Sequence, residues 1–399
     1  MSNYGRLVLT AFSMMVLCSP IYATSFEGPS FTTTVLRVDG DPDAIAVADV
    51  NEDGAPDIIL ANPQAGTVSV LLGDRKGAFH KSAGSPFPAG HLPNDLGVGD
   101  FNGDGHLDLL IVNTQTAFVT LLFGDGKGGF HPAKGSPFMT NARPHPHGVA
   151  TGHFCGRNQP LDAVIDSWGS GEVELLLNDG TGTLRNGPEF HAGPGSDMPL
   201  RSADLNQDGI PDVVMPDTAI GQWDSNAVTV LLGDGKCGFQ AAHGSPFDGG
   251  AVPWSVAVGD FDSDGIPDLL IVPYGPQVKD PQKIAASVLL GDGHGGFHAM
   301  PGSPFALPGC GNPRRIALGS VMGNSTHDFV VTCMNTDTLL LFHSEDGKSP
   351  ELSSLDAPSG ARSAPEGRGA LFADLLARGR DDIIISNEVA GTITLLLSK

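Results

Sequence analysis

Four stretches of this 399-residue chain set oxygen-bearing side chains at alternate positions of a nine-residue run. They are Asp49-VNEDGAP-Asp57, Asp100-FNGDGHL-Asp108, Asp204-LNQDGIP-Asp212 and Asp260-FDSDGIP-Asp268. A turn built this way aims the side chains of positions 1, 3 and 5 inward, reverses at the glycine of position 6, offers the carbonyl of position 7 and closes with the aspartate of position 9. Such a shell suits calcium, a hard cation that takes six to eight oxygens. The ligand sets are Asp49, Asn51, Asp53 and Asp57; Asp100, Asn102, Asp104 and Asp108; Asp204, Asn206, Asp208 and Asp212; and Asp260, Asp262, Asp264 and Asp268. Asp, Asn and Gly also make ordinary turns. Three or four carboxylates within nine residues, repeated four times, repel one another strongly unless a cation sits between them. The expectation is about four structural Ca²⁺ ions, each ringed by protein oxygens with no position left open for Lewis-acid chemistry. An EF-hand would need a glutamate at position 12 and flanking helices, and neither is present.

The loops belong to a repeat that fills the chain after residue 40. Weaker copies begin at His153, Ser320 and Asp374, so the seven starts lie 51 to 60 residues apart. A small residue precedes every start: Ala48, Gly99, Gly152, Ala203, Gly259, Gly319 and Ala373. An aspartate closes every copy and opens an apolar run: Asp57, Asp108, Asp162, Asp212, Asp268, Asp328 and Asp382. In the second unit, residues 96–101, 108–112 and 118–123 read as strands, followed by one around 130–138 that ends in Gly-Ser-Pro-Phe. Four short strands repeated radially make a β-propeller. The fold class is all-β: a single seven-bladed ring of four-stranded antiparallel blades. The last unit stops after its third strand, and the run Thr32–Val38 resembles the outer strands elsewhere, so the N-terminal strand closes the ring. Cations are expected in four loops only. His153 and Cys155 break the third, Ser320 and Met322 the sixth, and Leu376 and Arg378 the seventh, where the charge of Arg378 could replace the ion.

The recurring DFNGDGxxD and LLGDGxGxF pattern resembles the FG-GAP/VCBS repeats of integrin α-subunit propellers and of many exported bacterial proteins. The resemblance covers residues 26–399 and implies a seven-bladed propeller with calcium in the loops between first and second strands. It implies no reaction.

Composition supports strands and turns over helices: Gly 54, Pro 31 and only 17% charged residues. The formal net charge of −23 argues against nucleic acid, whose binding draws on Lys and Arg. Arg6 before the apolar run Leu7–Cys18, with a small residue at Ala23, reads as a signal peptide over residues 1–23, leaving 24–399 as the propeller. No later run is long enough to span a bilayer, so the mature chain is expected to be secreted, periplasmic or on the cell surface, as a monomer. Export permits disulfides. Cys310 and Cys333 flank one hairpin and are expected to pair, whereas Cys155 and Cys237 lie in turns of different blades and are expected to stay unpaired.

No catalytic signature is found, and no catalytic residue is assigned. His145 and His147 could suit a metal but read as an exposed Pro-rich loop. Recognition is expected on the face opposite the calcium loops. That face carries Trp168, Trp223, Trp254 and Tyr274, with Trp254, at the mouth of the axis, expected as the aromatic anchor of binding. Three readings stay open: a binding or adhesion module for carbohydrate or protein, a purely structural repeat protein, and a carbohydrate-active enzyme such as a polysaccharide lyase. For the last, Arg143, His145, His147, Arg314 and Arg368 are the candidate cluster.

Overall fold

The computed structural model describes residues 29–142, 145–167, 169–193, 200–217, 224–323, 327–334, 336–344, 350–358 and 369–399. The signal-peptide reading of residues 1–23, and Trp168, Trp223, Arg143 and Arg368, lie outside them. The described residues form seven antiparallel blades and two single-turn 3-10 helices. In blade two the chain runs outward through Pro93–Gly99, Asp108–Asn113 and Phe118–Gly124. The seventh blade takes Ala370–Ala373, Asp382–Asn387 and Thr392–Ser398 from the end of the chain and its outer strand, Phe31–Arg37, from the beginning, with Phe31 opposite Ser398.

The outer strand is where the sequence reading needs correcting. In blades one, two, four and five it is two short pieces, such as Phe130–Pro132 and Phe138–Met139, both paired to the third strand. The serine of each Gly-Ser-Pro-Phe turns back between them. Its Oγ accepts from a third-strand amide at 2.9–3.0 Å, as Ser136 does from Leu121 N. A side chain thus satisfies the amide that a continuous strand would have satisfied, as buried backbone groups require. The Gly-Ser-Pro-Phe motif marks an interruption rather than a strand end.

Seven apolar clusters fill the seven clefts between neighbouring blades, the last joining blade seven to blade one through Ile58, Leu60, Ile384 and Leu395. The innermost strands crowd at the axis, which explains the small residue before each repeat start. A Cβ on Gly99 would meet Leu161 of the next blade at 2.2 Å, and one on Gly319 would meet Phe372 at 2.4 Å. Because each innermost strand ends at an acidic loop, its beginning and the end of the second strand lie together on the opposite face.

Candidate functional site

The four acidic loops share one geometry. The first aspartate accepts from the glycine amide of position 6 at 2.8, 2.9, 2.7 and 2.9 Å in blades one, two, four and five. The position 5 amide donates to the side chain at position 3, and the position 7 amide to the aspartate of position 5. Position 4 takes positive φ in each: Glu52 59°, Gly103 76°, Gln207 59° and Ser263 62°. That twist brings positions 1, 3 and 5 to one side. Carboxylate oxygens of Asp260, Asp262 and Asp268 lie within 4.8 Å of one another, and Asp204 Oδ1 is buried without a hydrogen-bond partner. Converging carboxylates in blade five and an orphaned carboxylate oxygen in blade four are hard donors of the kind a calcium ion takes, and Asp260, Asp262 and Asp268 would hold one there.

The ninth aspartate has a second role that sequence reasoning missed. It is fully or almost fully buried, and each carboxylate oxygen accepts a backbone N–H. Asp108 takes Phe101 N and Gly124 N at 2.9 Å, tying the acidic loop to the end of the third strand. Asp57, Asp212 and Asp268 do the same. Burial pushes the carboxyls of Asp108, Asp212 and Asp268 up to about 6, against those hydrogen bonds, and the acids at positions 5 and 1, or 3 and 1, add to the rise. The signal was present in the sequence, since this aspartate persists where the other acids are lost.

Each broken loop carries a different replacement. In blade seven, Arg378 stands at position 5 and its Nη2 donates to Asp382 at 2.9 Å, as the sequence suggested. In blade six, His343 Nδ1 lies 2.6 Å from Asp328 Oδ1. In blade three, Cys155 stands at position 3 and is joined to Cys237 in the turn of blade four, with Cα atoms 4.3 Å apart. The expectation that these two cysteines stay unpaired is therefore wrong. Neighbouring blades touch at this spot: Gly128 N of blade two bonds Val50 O of blade one, and Cys237 N of blade four bonds Phe154 O of blade three. Sequence distance, 82 residues, concealed that contact. Cys310 and Cys333 are also joined, with Cα atoms 5.5 Å apart.

On the opposite face the second strand ends in a buried asparagine in blades one, two and seven, Asn62, Asn113 and Asn387, each donating to a third-strand hydroxyl. A cleft between blades four and five is lined by Asp224, Asp248, Gln277, Lys279, Asp280 and Lys283. At the axis, β-bulges interrupt the start of the innermost strand in blades two, five and six, and the bulged residues are Asn94, Trp254 and Arg314. Bulges re-aim side chains.

Trp254, expected as an aromatic anchor, is buried. It is 5% exposed, stacked on Tyr274 at 4.2 Å and covered by Arg314, whose guanidinium lies 5.0 Å from its ring. His147 is not exposed either. It is buried, its amide donates to Asp166 at 2.8 Å, and its carbonyl accepts from Asn94. Burial first, then His145 and the guanidiniums of Arg315 and Arg314, pushes its ring down to about 2.

Comparison with known proteins supports the frame. The model of the FG-GAP-like repeat matches residues 49–111, 162–215 and 215–271. Comparison with curated proteins gives no match. Among solved structures, virginiamycin B lyase from Staphylococcus aureus is similar at TM-score 0.58 and 13% identity, covering 93% of this chain and 100% of that one. BBS1N, solved in complex with ARL6DN, aligns at TM-score 0.59 and 9% identity over 93% of this chain and 96% of its own. A protein from Lactobacillus plantarum aligns at TM-score 0.55 and 13% identity over 80% and 86%. At these identities the likeness is one of fold. Three family matches, seven blades and the loop geometry agree: the chain is an FG-GAP repeat β-propeller.

Proposed function

We propose that this protein is an exported, calcium-stabilised binding module that recognises carbohydrate or protein on the face opposite its acidic loops. The observation that carries the reading is the contrast between the faces. One face repeats the same oxygen-rich loop around the ring, a pattern suited to bracing. The other, among the described residues, adds to its buried strand-end asparagines two features that do not recur in every blade, the cleft between blades four and five and the bulged mouth of the axis, as expected where loops on a rigid scaffold carry recognition. Two disulfides support export, since they persist in oxidising compartments. No helix among the described residues is long and apolar enough to cross a membrane. The test is a glycan and protein array probed with the calcium-loaded protein. Binding that survives an acidic-loop variant at saturating calcium, but is lost on changing residues of the opposite face, supports the reading. Binding that tracks the acidic loops overturns it.

A further inference from the structure

We propose that the axial mouth on this opposite face binds the carboxylate of an acidic sugar, with Arg314 as the anion-binding group. The proposal rests on that face being the recognition face. Among the described arginines around the axis, two have a carboxylate partner and one does not. Arg315 lies 3.9 Å from Asp43, and Arg201 lies 3.8 Å from Asp95. Arg314 makes no hydrogen bond or ion pair among the described residues, and its Nε–H is buried with no acceptor.

The Nε1–H of Trp254 beneath it, on a side chain more than nine-tenths buried, is likewise without an acceptor. Unsatisfied donors and an unpaired, half-buried cation are costly, and a chain with 45 acidic residues has ample means to neutralise them. The β-bulge at Arg314 re-aims this side chain, and the one at Trp254 sets the ring under it. The backbone before the Trp254 bulge is held at positive φ, 48° at Val252, and the Tyr274 amide donates to the Val252 carbonyl.

A guanidinium offers a planar fork that matches one carboxylate. Tyr274, half-buried and stacked on Trp254, adds a rigid aromatic edge beside it. A uronic acid combines an apolar ring face with a single carboxylate, and so fits both. An acidic peptide brings several charges to a molecule of net charge −23.

The probe is digalacturonate, with neutral digalactose and the dipeptide Glu-Glu as comparisons, titrated by calorimetry at saturating calcium. Digalacturonate should bind, and digalactose should bind about tenfold more weakly or worse. Arg314→Gln should weaken digalacturonate binding at least about tenfold and leave the calcium-loaded melting temperature in place. Should Arg314→Gln lower that temperature, Arg314→Lys decides: it keeps the charge, loses the fork, and should still bind several-fold more weakly. Unchanged binding in both variants overturns the proposal, as does equal binding of digalactose or tighter binding of Glu-Glu. A ligand lost instead in Lys279→Ala or Lys283→Ala overturns the mouth while sparing the recognition face. A ligand lost in Asp260→Ala at saturating calcium overturns both readings.

Discussion

The loops of blades two and seven have the same backbone and opposite chemistry. Position 4 has φ 76° at Gly103 and 51° at Ala377, and position 6 has 90° at Gly105 and 71° at Gly379. Asp100 and Asp374 both accept from the position 6 amide, at 2.9 and 2.7 Å. Asp108 and Asp382 both accept from the end of the third strand, at 2.9 and 2.8 Å. The difference lies at positions 3 and 5, Asn102 and Asp104 against Leu376 and Arg378. One loop gathers acids that call for a cation, and the other carries its own. What every blade keeps is the buried ninth aspartate; in the four acidic loops it takes two backbone amides, whereas in blade seven Asp382 takes that of Ser398 together with the Arg378 guanidinium. Beside it stand acids suited to a cation in four blades, the Arg378 guanidinium in blade seven, the His343 ring in blade six and the Cys155–Cys237 bridge in blade three.

This comparison breaks most directly on calcium removal, which carries the largest expected effect. A site held at 100 times its dissociation constant adds about 2.7 kcal/mol, so four sites add roughly 10 kcal/mol. Calorimetry with chelator and then with excess calcium should show a large, reversible loss of melting temperature. Local opening, followed by amide exchange, should concentrate in blades one, two, four and five and spare blade seven. Uniform opening around the ring would mean that the three substitutes do not act as such.

The second effect is that of the blade three substitute. Cys155→Ser with Cys237→Ser removes a link between chain segments 82 residues apart, and should cost about 2–5 kcal/mol in chemical unfolding. It should leave calcium titration of the other loops unchanged. This link also marks what was legible in the sequence. The repeat, blade number, closure by the N-terminal strand and acidic loops follow from local patterns, because each blade is one local unit. The Cys155–Cys237 bridge, the burial of Trp254 and the unpaired Arg314 follow from contacts between blades, which a repeat period does not encode. Trp254 was misread for a further physical reason. A bulge at residue 254 turns its ring under Arg314, and a bulge leaves no mark in an apolar/polar alternation.

A smaller effect is expected at Arg378, whose side chain is 31% exposed and therefore partly screened by water. Arg378→Ala leaves Asp382 buried beside Asp374 and Asp381 without its cation, and should cost about 1–3 kcal/mol. The informative variant restores the acids. Leu376→Asn with Arg378→Asp converts the seventh loop to the pattern of the second. Its stability should become calcium-dependent, and titration should register one additional ion. Loss of stability that calcium fails to recover would show that position 5 is a packing site rather than a charge site.

The last effect lies away from the loops, at Glu174 on the third strand of blade three. Its carboxylate is 1% exposed and accepts from the amides of Asn141 and Ala142, both at 2.9 Å. Burial pushes its carboxyl up to about 7, against those two hydrogen bonds, and Glu189 on the neighbouring strand adds a little. The folded chain therefore holds this proton more tightly than the unfolded chain, where a glutamate ionises near 4.3. Below that value both states are protonated and the site costs nothing. As pH rises through the folded value of about 7, the unfolded state is ionised at no cost while the folded state must ionise a buried group, so stability is lost. Glu174→Gln keeps an acceptor for both amides and removes the charge. It should be close to neutral at pH 4, where the folded wild type is also uncharged, and stabilise at pH 8 by at most the roughly 3–4 kcal/mol that a rise from about 4.3 to about 7 implies. Denaturant melts at the two pH values, run in calcium so that the acidic loops do not contribute the difference, provide the measurement. A gain of equal size at both values would assign the effect to packing rather than to the buried charge.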